Sequence, residues 1–352
     1  MTHRDPLLKV NIAEQRLARF VRPTHRHPHH RCRAGSESCS QNRVETGLFQ
    51  QPVRCWWVVS FFTNKFSSLL KVSEHGAEIG RVPLDEITAV IIHAHGTTCS
   101  ISLLAELADR GAPVVLCGAN HAPRSVLMPL EGHHAQGARL RSQWQAKTPL
   151  VKQAWKQVVV AKVKMQAAAL DAHAAASAPL HMMARKVTSG DSTNLEAQAA
   201  RYYWPLMLGD EFRRNRDAPD INSLLNYGYT VLRAATARAI VAAGLHPTIG
   251  LHHSNRGNAF ALADDLMEPF RPLIDCAVRG LSFRGRTQVD AETKQVLARL
   301  IALDLPLGDG QTSVSVALCK LATSLGQSFE TGRLSLALPA PPDALTLAGL
   351  GS

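Results

Sequence analysis

Residues 150–173, LVKQAWKQVVVAKVKMQAAALDAH, mark the place where this 352-residue chain changes its grammar. The stretch is rich in Ala and carries few strand signals, so it reads as a long helix. Helical segments follow at 220–247, with Asp220 as N-cap and Gly244 as stop, and again at 290–304 and 312–333. Before about Pro149 the pattern is different. Residues 69–96, LLKVSEHGAEIGRVPLDEITAVIIHAHG, are short β-rich runs bounded by Gly and Pro, with EHGAE as a hairpin turn. SISLLAELADRG (100–111) is a helical insert with Leu103, Leu104 and Leu107 on one face, and PVVLC (113–117) is a buried-strand run. The expected fold class is α+β: a small β-rich amino-terminal domain over 55–148, then a larger all-α domain over 149–335. Residues 1–54 read as a basic, atypical extension and the Pro-rich 336–352 as a flexible tail.

Lys and Arg exceed Asp and Glu by 39 to 28, a balance that suits a polyanionic partner, above all nucleic acid. Part of the excess is local, because residues 1–54 hold ten basic residues against four acidic ones. His27, His29 and His30 lie in that tract, whose composition implies no specific metal site. The seven cysteines are scattered without a CxxC pair, which argues against a zinc site or a disulfide framework. No apolar run approaches the length of about eighteen residues that a spanning helix needs. A cytoplasmic protein is expected.

The chemistry is concentrated in GLHHSNRGNAFALADDLMEPFRP, residues 250–272. On a helix Asp264 and Asp265 lie four and three positions before Glu268, so these carboxylates are near neighbours beside an apolar face. His253 stands fifteen residues before Glu268, about 22 Å away on a continuous helix. The two can meet only if the chain breaks at HSNRGN, whose Ser254, Asn255, Gly257 and Asn258 permit a turn and a cap. A further carboxylate, Glu196, opens the helix in NLEAQAARYYWPLM, where it either serves a site or answers the helix dipole beside Asn194 as cap. Oxygen donors with one histidine suit Mg²⁺ or Mn²⁺. Candidate phosphate contacts are Arg185, Lys186, Arg201, Arg213, Arg214, Arg256 and Arg271.

The chain resembles the CRISPR-associated integrase and endonuclease family that captures spacers during adaptation, especially its type II branch. EIGRVPLDEI, LMPLEGHH, LEAQAARYYWPLM, LLNYGYTVLRAATARAIVAAGLHPTIGLHHSN, NAFALADDLMEPFRP and TSVSVALCKLATSLGQSFETG carry the resemblance, in order, over residues 68–332. It implies a catalytic helical domain with a metal triad of Glu196, His253 and Glu268, and Asp265 as a second-choice ligand or proton acceptor. His252 is the alternative register for the histidine. It further implies metal-dependent strand transfer, in which a 3′-hydroxyl attacks a repeat phosphodiester, and endonuclease cleavage when water replaces that hydroxyl. The implied partners are double-stranded DNA (protospacer and CRISPR repeat), a second copy of the chain, a small ferredoxin-like CRISPR-associated protein, and in type II systems the effector nuclease. The family pattern departs at the start, where VRCWWVVSFFTNKFSSLL fits the early strands poorly and a misplaced translation start explains residues 1–50 as well as a special domain does. Two other classes compete: a non-catalytic DNA-binding scaffold of the adaptation complex, and a metal-dependent repair nuclease for branched DNA.

Overall fold

The computed structural model describes residues 57–351, apart from 65–66, 75–76, 93–96, 119–122, 131, 219 and 254. The expectations for residues 1–54 lie outside the described residues. Strands come first. β1 (Trp57–Asn64), β2 (Ser67–Glu74) and β3 (Ala77–Pro83) form an antiparallel meander. β2 and β3 pair antiparallel on either side of the EHGAE segment, with Glu74 opposite Ala77. β1 pairs with β2 along its whole length, from Trp57 opposite Glu74 to Asn64 opposite Ser67. The early apolar run therefore forms a strand despite its lack of alternation: ladder pairing uses backbone groups, and Trp, Val, Phe and Thr all favour extended backbone.

β4 (Val90–Ile92) belongs to a second sheet, while β5 (Thr98–Cys99) pairs in parallel with β1. α1 (Ile101–Asp109) begins at Ser100, whose hydroxyl accepts from Leu103 N, and buries Leu103 and Leu107. β6 (Val114–Cys117) then runs parallel to β4 and antiparallel to β7 (Pro123–Leu127). Leu70, Val82, Leu84, Ile87, Leu103 and Val114 make a small core of their own beneath these strands.

The remainder is mostly helical. α2 (Gln136–Trp144) leads into the 25-residue α3 (Thr148–Ala172), followed by α4 (Ala178–Lys186) and α5 (Leu195–Leu208). α6 (Ile221–Ala242) starts at Asp220, which accepts from Asn222 N at 2.8 Å, and stops where Gly244 takes φ +74°. α7 (Ala261–Met267) and α8 (Arg271–Phe283) are separated by a 3₁₀ turn at Glu268–Phe270, and α9 (Ala291–Arg299) follows. β8 (Asp304–Leu307) and β9 (Gly310–Ser313) form a hairpin before α10 (Val314–Thr331). α3 and α6 run through the middle of this second core; Trp155, Val158, Val159 and Leu170 of α3 are essentially inaccessible to solvent. No described helix is long and apolar enough to cross a membrane.

Two details differ from the sequence reading. The carboxyl half is not wholly α-helical, since β8 and β9 interrupt it. And the segment read as a flexible tail is docked: Leu336 and Leu338 pack on the helical core, Ala340 N donates to Pro306 O, and α11 (Ala344–Ala348) fully buries Leu347. Its leucines alternate with Pro and Ala in LALPAPPDALTLAGL, so an apolar edge was available that the proline content masked.

Candidate active site

α3 supplies the floor of the site. Trp155, Val158, Val159, Lys162 and Gln166 fall at helical spacing on one buried face, and only Lys162 among them carries a charge. Its ammonium nitrogen lies 2.6 Å from Glu196 Oε1 and 2.6 Å from Glu268 Oε2. Burial lowers the affinity of Lys162 for its proton, but Glu268 and Glu196 outweigh that and raise it above the ordinary lysine value. One cation thus sits where two carboxylates from different helices converge.

Glu196 is in the first turn of α5, yet the amino terminus of that helix is satisfied by another residue. Asp191 accepts from both Leu195 N and Glu196 N at 2.9 Å. Asn194, expected as the cap, takes a left-handed conformation (φ 54°, ψ 45°) and makes no side-chain capping bond. With the helix end already capped, Glu196 is free to turn toward Lys162.

Glu268 is almost wholly buried in the turn between α7 and α8. Arg271 donates to its Oε1 at 2.5 Å, and the Arg271 guanidinium lies over the Tyr229 ring, 4.3 Å from its centroid. Burial pushes the Glu268 carboxyl up, while Arg271 and Lys162 pull it further down, so it ends well below the usual carboxylate range. Oε2 meets Lys162 in charge but off the direction of a hydrogen bond, which leaves that buried oxygen without an aligned donor.

The chain breaks at residues 251–260 as the spacing demands, and the break is organised by Asp265. This fully buried carboxylate accepts from Leu251 N at 2.5 Å, His252 N at 3.0 Å, His253 N at 3.3 Å and His253 Nδ1 at 2.5 Å. Gly250 lies so close that an added Cβ would sit 2.6 Å from His253 O and 2.8 Å from Asp265 Oδ2. From the other side, Gln143 of α2 donates to His246 O and Ile249 O and accepts from His246 N. The hydrogen bond to Asp265 raises the proton affinity of His253 despite burial, and commits Nδ1, leaving Nε2 as the ring atom for a ligand. His252 instead stacks flat on Trp155, with centroids 4.6 Å apart and planes 2° from parallel.

Asp264, the other member of the carboxylate pair read from the sequence, faces away. It accepts from Arg233 Nε at 2.6 Å and Asn258 Nδ2 at 2.8 Å. Asp265 has both oxygens occupied, which suits it to orienting His253 more than to holding an ion. Of the seven basic candidates, Arg271 reaches the site, and Arg185, Lys186, Arg201, Arg213 and Arg256 are exposed. Arg214 is committed internally to Asn222 Oδ1 (2.9 Å) and Asn226 Oδ1 (2.7 Å), because it ties the 212–218 loop to α6. The residue the sequence reading missed is Lys162. Its signal was partial: a spacing of four from Val158 and seven from Trp155 puts it on their face of the helix, but the sequence does not say that this face is buried.

Two carboxylate oxygens converging on one cation fit a hard divalent ion. Among the described residues no three His, Cys, Asp or Glu side chains are gathered into a metal cage. The pair Glu196 and Glu268 is assembled, with Lys162 between them, while His253 is held by Asp265 near enough to Glu268 to feel its charge.

The family model for CRISPR associated protein Cas1 matches residues 63–300. The chain is 36% identical over 259 residues to the CRISPR-associated endonuclease Cas1 of Neisseria meningitidis serogroup C (strain 8013), covering 72% of this chain and 84% of that one. Among solved structures it is similar to a casposase bound to integration product (TM-score 0.66, 19% identity, 80% of this chain and 90% of that one). It is also similar to a chain of a Cas6-RT-Cas1–Cas2 complex (TM-score 0.63, 18% identity, 79% of this chain and 34% of that one).

Proposed function

The chain belongs to the family of CRISPR associated protein Cas1, and from that premise we propose that it joins DNA at the Glu196, Glu268 and His253 site in a metal-dependent transesterification. At the coarser level it is a CRISPR-associated endonuclease and adaptation integrase. The observation that carries the finer reading is the convergence of Glu196 Oε1 and Glu268 Oε2 on one cationic centre.

Glu196, Glu268 and Nε2 of His253 would hold Mg²⁺ or Mn²⁺. When bound, the ion supplies Lewis-acid polarisation of the scissile phosphate and eases ionisation of the attacking hydroxyl. Asp265 holds the His253 ring, so that Nε2 presents its lone pair without reorganisation. Arg271, fixed by Glu268 and Tyr229, stands beside the carboxylates with a charge that opposes the growing negative charge on a phosphoryl group. In strand transfer the 3′-oxygen of the incoming fragment bonds to phosphorus as the repeat's own 3′-oxygen departs, so one phosphodiester replaces another. Water in place of the 3′-hydroxyl gives endonuclease cleavage. The partners in this reading are double-stranded DNA, a second copy of the chain, the small ferredoxin-like CRISPR-associated protein, and the type II effector nuclease. Similarity to a chain of a complex that holds Cas1 together with Cas2 supports a CRISPR-associated protein partner. Arg185, Lys186, Arg201, Arg213 and Arg256 are the exposed phosphate contacts.

The test is strand transfer of a short 3′-hydroxyl duplex into a repeat-bearing plasmid with the small partner present. Joining in Mn²⁺ that is abolished by EDTA and by Glu268→Ala is the expected result. Joining that survives both refutes the reading. DNA binding that persists without any joining by the unsubstituted protein favours the scaffold.

A further inference from the structure

We propose that Lys162 is a resident counter-ion, which holds the position between Glu196 and Glu268 while no metal is bound and yields it by exchange when a divalent cation arrives. The inference rests on the ligand assignment above and adds a competitor to it. Lys162 Nζ is 2.6 Å from one oxygen of each carboxylate. A Mg²⁺ ion takes its oxygens at roughly 2.1 Å. A metal ion seated between those same two oxygens would lie at a similar distance from each, where the ammonium now stands, so the two compete for one position.

Charge gives a second, independent reason. Glu196, Glu268, Lys162 and Arg271 form a buried or half-buried group of two negative and two positive charges. Adding a divalent ion with Lys162 in place leaves two uncompensated positive charges in that group, and expelling Lys162 leaves one. Uncompensated charge away from water is costly, so departure of the ammonium accompanies entry of the ion. The lysine stem permits this, because its four carbons let the head leave while the backbone of α3 stays anchored by Trp155, Val158 and Val159. A third observation concerns Glu268 Oε2, which Lys162 neutralises without an aligned hydrogen bond. The ammonium balances that oxygen's charge while leaving its lone pair open to a better ligand. Metal affinity is accordingly set by a difference, in which the loss of Lys162 from the pair is subtracted from the gain of the metal.

The experiment is Mn²⁺ titration of the full chain without DNA, by calorimetry and by electron paramagnetic resonance, with melting temperatures measured in parallel. Lys162→Met and Lys162→Gln are expected to bind Mn²⁺ about tenfold or more tightly than the unsubstituted protein. They should melt at lower temperature without metal, and gain more from Mn²⁺. A merely structural lysine would not sharpen metal binding when removed. A folded variant that binds Mn²⁺ no more tightly than the unsubstituted protein overturns the proposal. Should both variants fail to fold, lysine methylation mapped by mass spectrometry on the unsubstituted protein decides: Lys162 is expected to be protected without Mn²⁺ and labelled with it, and labelling that does not rise with Mn²⁺ overturns the proposal. Glu268→Gln separates the two readings. If it binds Mn²⁺ like the unsubstituted protein, the ligand assignment itself is wrong; if it loses Mn²⁺ while the Lys162 variants show no gain, only the exchange is wrong.

Discussion

Four donors converge on the buried Asp265 carboxylate, three of them backbone N–H groups of the His-containing loop and the fourth the His253 ring. One side chain therefore fixes both the path of the loop and the tautomer of the histidine. Asp265→Asn replaces an acceptor oxygen by an NH₂ group aimed at other donors. Strand transfer by that variant is expected to fall about 10- to 100-fold, with Mn²⁺ affinity weakened to a similar degree, as for other outer partners of ligating histidines. Gel quantification of joined product and calorimetry check the two numbers; unchanged Mn²⁺ affinity would remove Asp265 from the account. At this scale the sequence was informative about residue types and weaker about directions. The spacing of His253, Asp265 and Glu268 required a chain break, and the break is there. It could not say that Asp264 turns to Arg233 while Asp265 turns inward, because that choice depends on what α6 presents to each face. Lys162 was hidden for a related reason. A lysine in a helix reads as solvated until the burial of its whole face is known.

Among the elements, α5 and α8 depend on polar groups that periodicity does not reveal. Asp191 caps α5 from a turn in which Gly190 and Asp191 itself have positive φ, and it thereby releases Glu196 for the site. Asp191→Ala is expected to cost about 1 kcal/mol or more of stability by chemical denaturation and to weaken Mn²⁺ binding, because the first turn of α5 carries Glu196. Asn194 had the better cap residue type by sequence. Asp191 prevails because its two oxygens reach two successive N–H groups, whereas Asn194 is left-handed and its side chain is directed elsewhere. On α8, Asp275 is buried and accepts from Tyr203 of α5, at 3.2 Å, and from Tyr229 of α6. Burial outweighs those hydrogen bonds and raises its carboxyl from 3.8 to about 6. The folded state therefore holds the proton that the unfolded chain has already lost between those values, and stability falls as pH rises through that window. A shift of this size corresponds to about 3 kcal/mol. Urea unfolding at intervals from pH 4 to 7 should show that decline in the unsubstituted protein and a flatter profile in Asp275→Asn; the same slope in both would refute the assignment.

For the molecule as a whole, a strand-rich start and a largely helical remainder were legible because the two bury their apolar residues differently, although the helices begin earlier than residue 149, with α2 at Gln136. The strands place theirs on a small core of Leu, Val and Ile, while α3 and α6 are apolar on most sides and lie inside a larger one. The docked carboxyl segment was not legible, since Pro-rich composition says nothing of a groove that accepts its leucines. Deleting residues 334–352 removes Leu347 and Leu350 from the core and should lower the melting temperature by several degrees, each buried leucine contributing about 1.5–3 kcal/mol. The exposed basic residues make a further prediction. Neutralising any one of Arg185, Lys186, Arg201, Arg213 or Arg256 that contacts a phosphate should reduce the salt slope of DNA binding by about 1, read from fluorescence anisotropy across a salt series.

If the proposed site is right, Glu196, Glu268 and His253 share one divalent ion where Lys162 now sits. Anomalous diffraction from a crystal grown with Mn²⁺ tests it most directly. The expected result is a single strong peak between the two carboxylates, roughly 2.1 Å from an oxygen of each, with His253 Nε2 as a further ligand and Lys162 turned away. A peak elsewhere, or Lys162 still bridging Glu196 and Glu268 at saturating Mn²⁺, would contradict it.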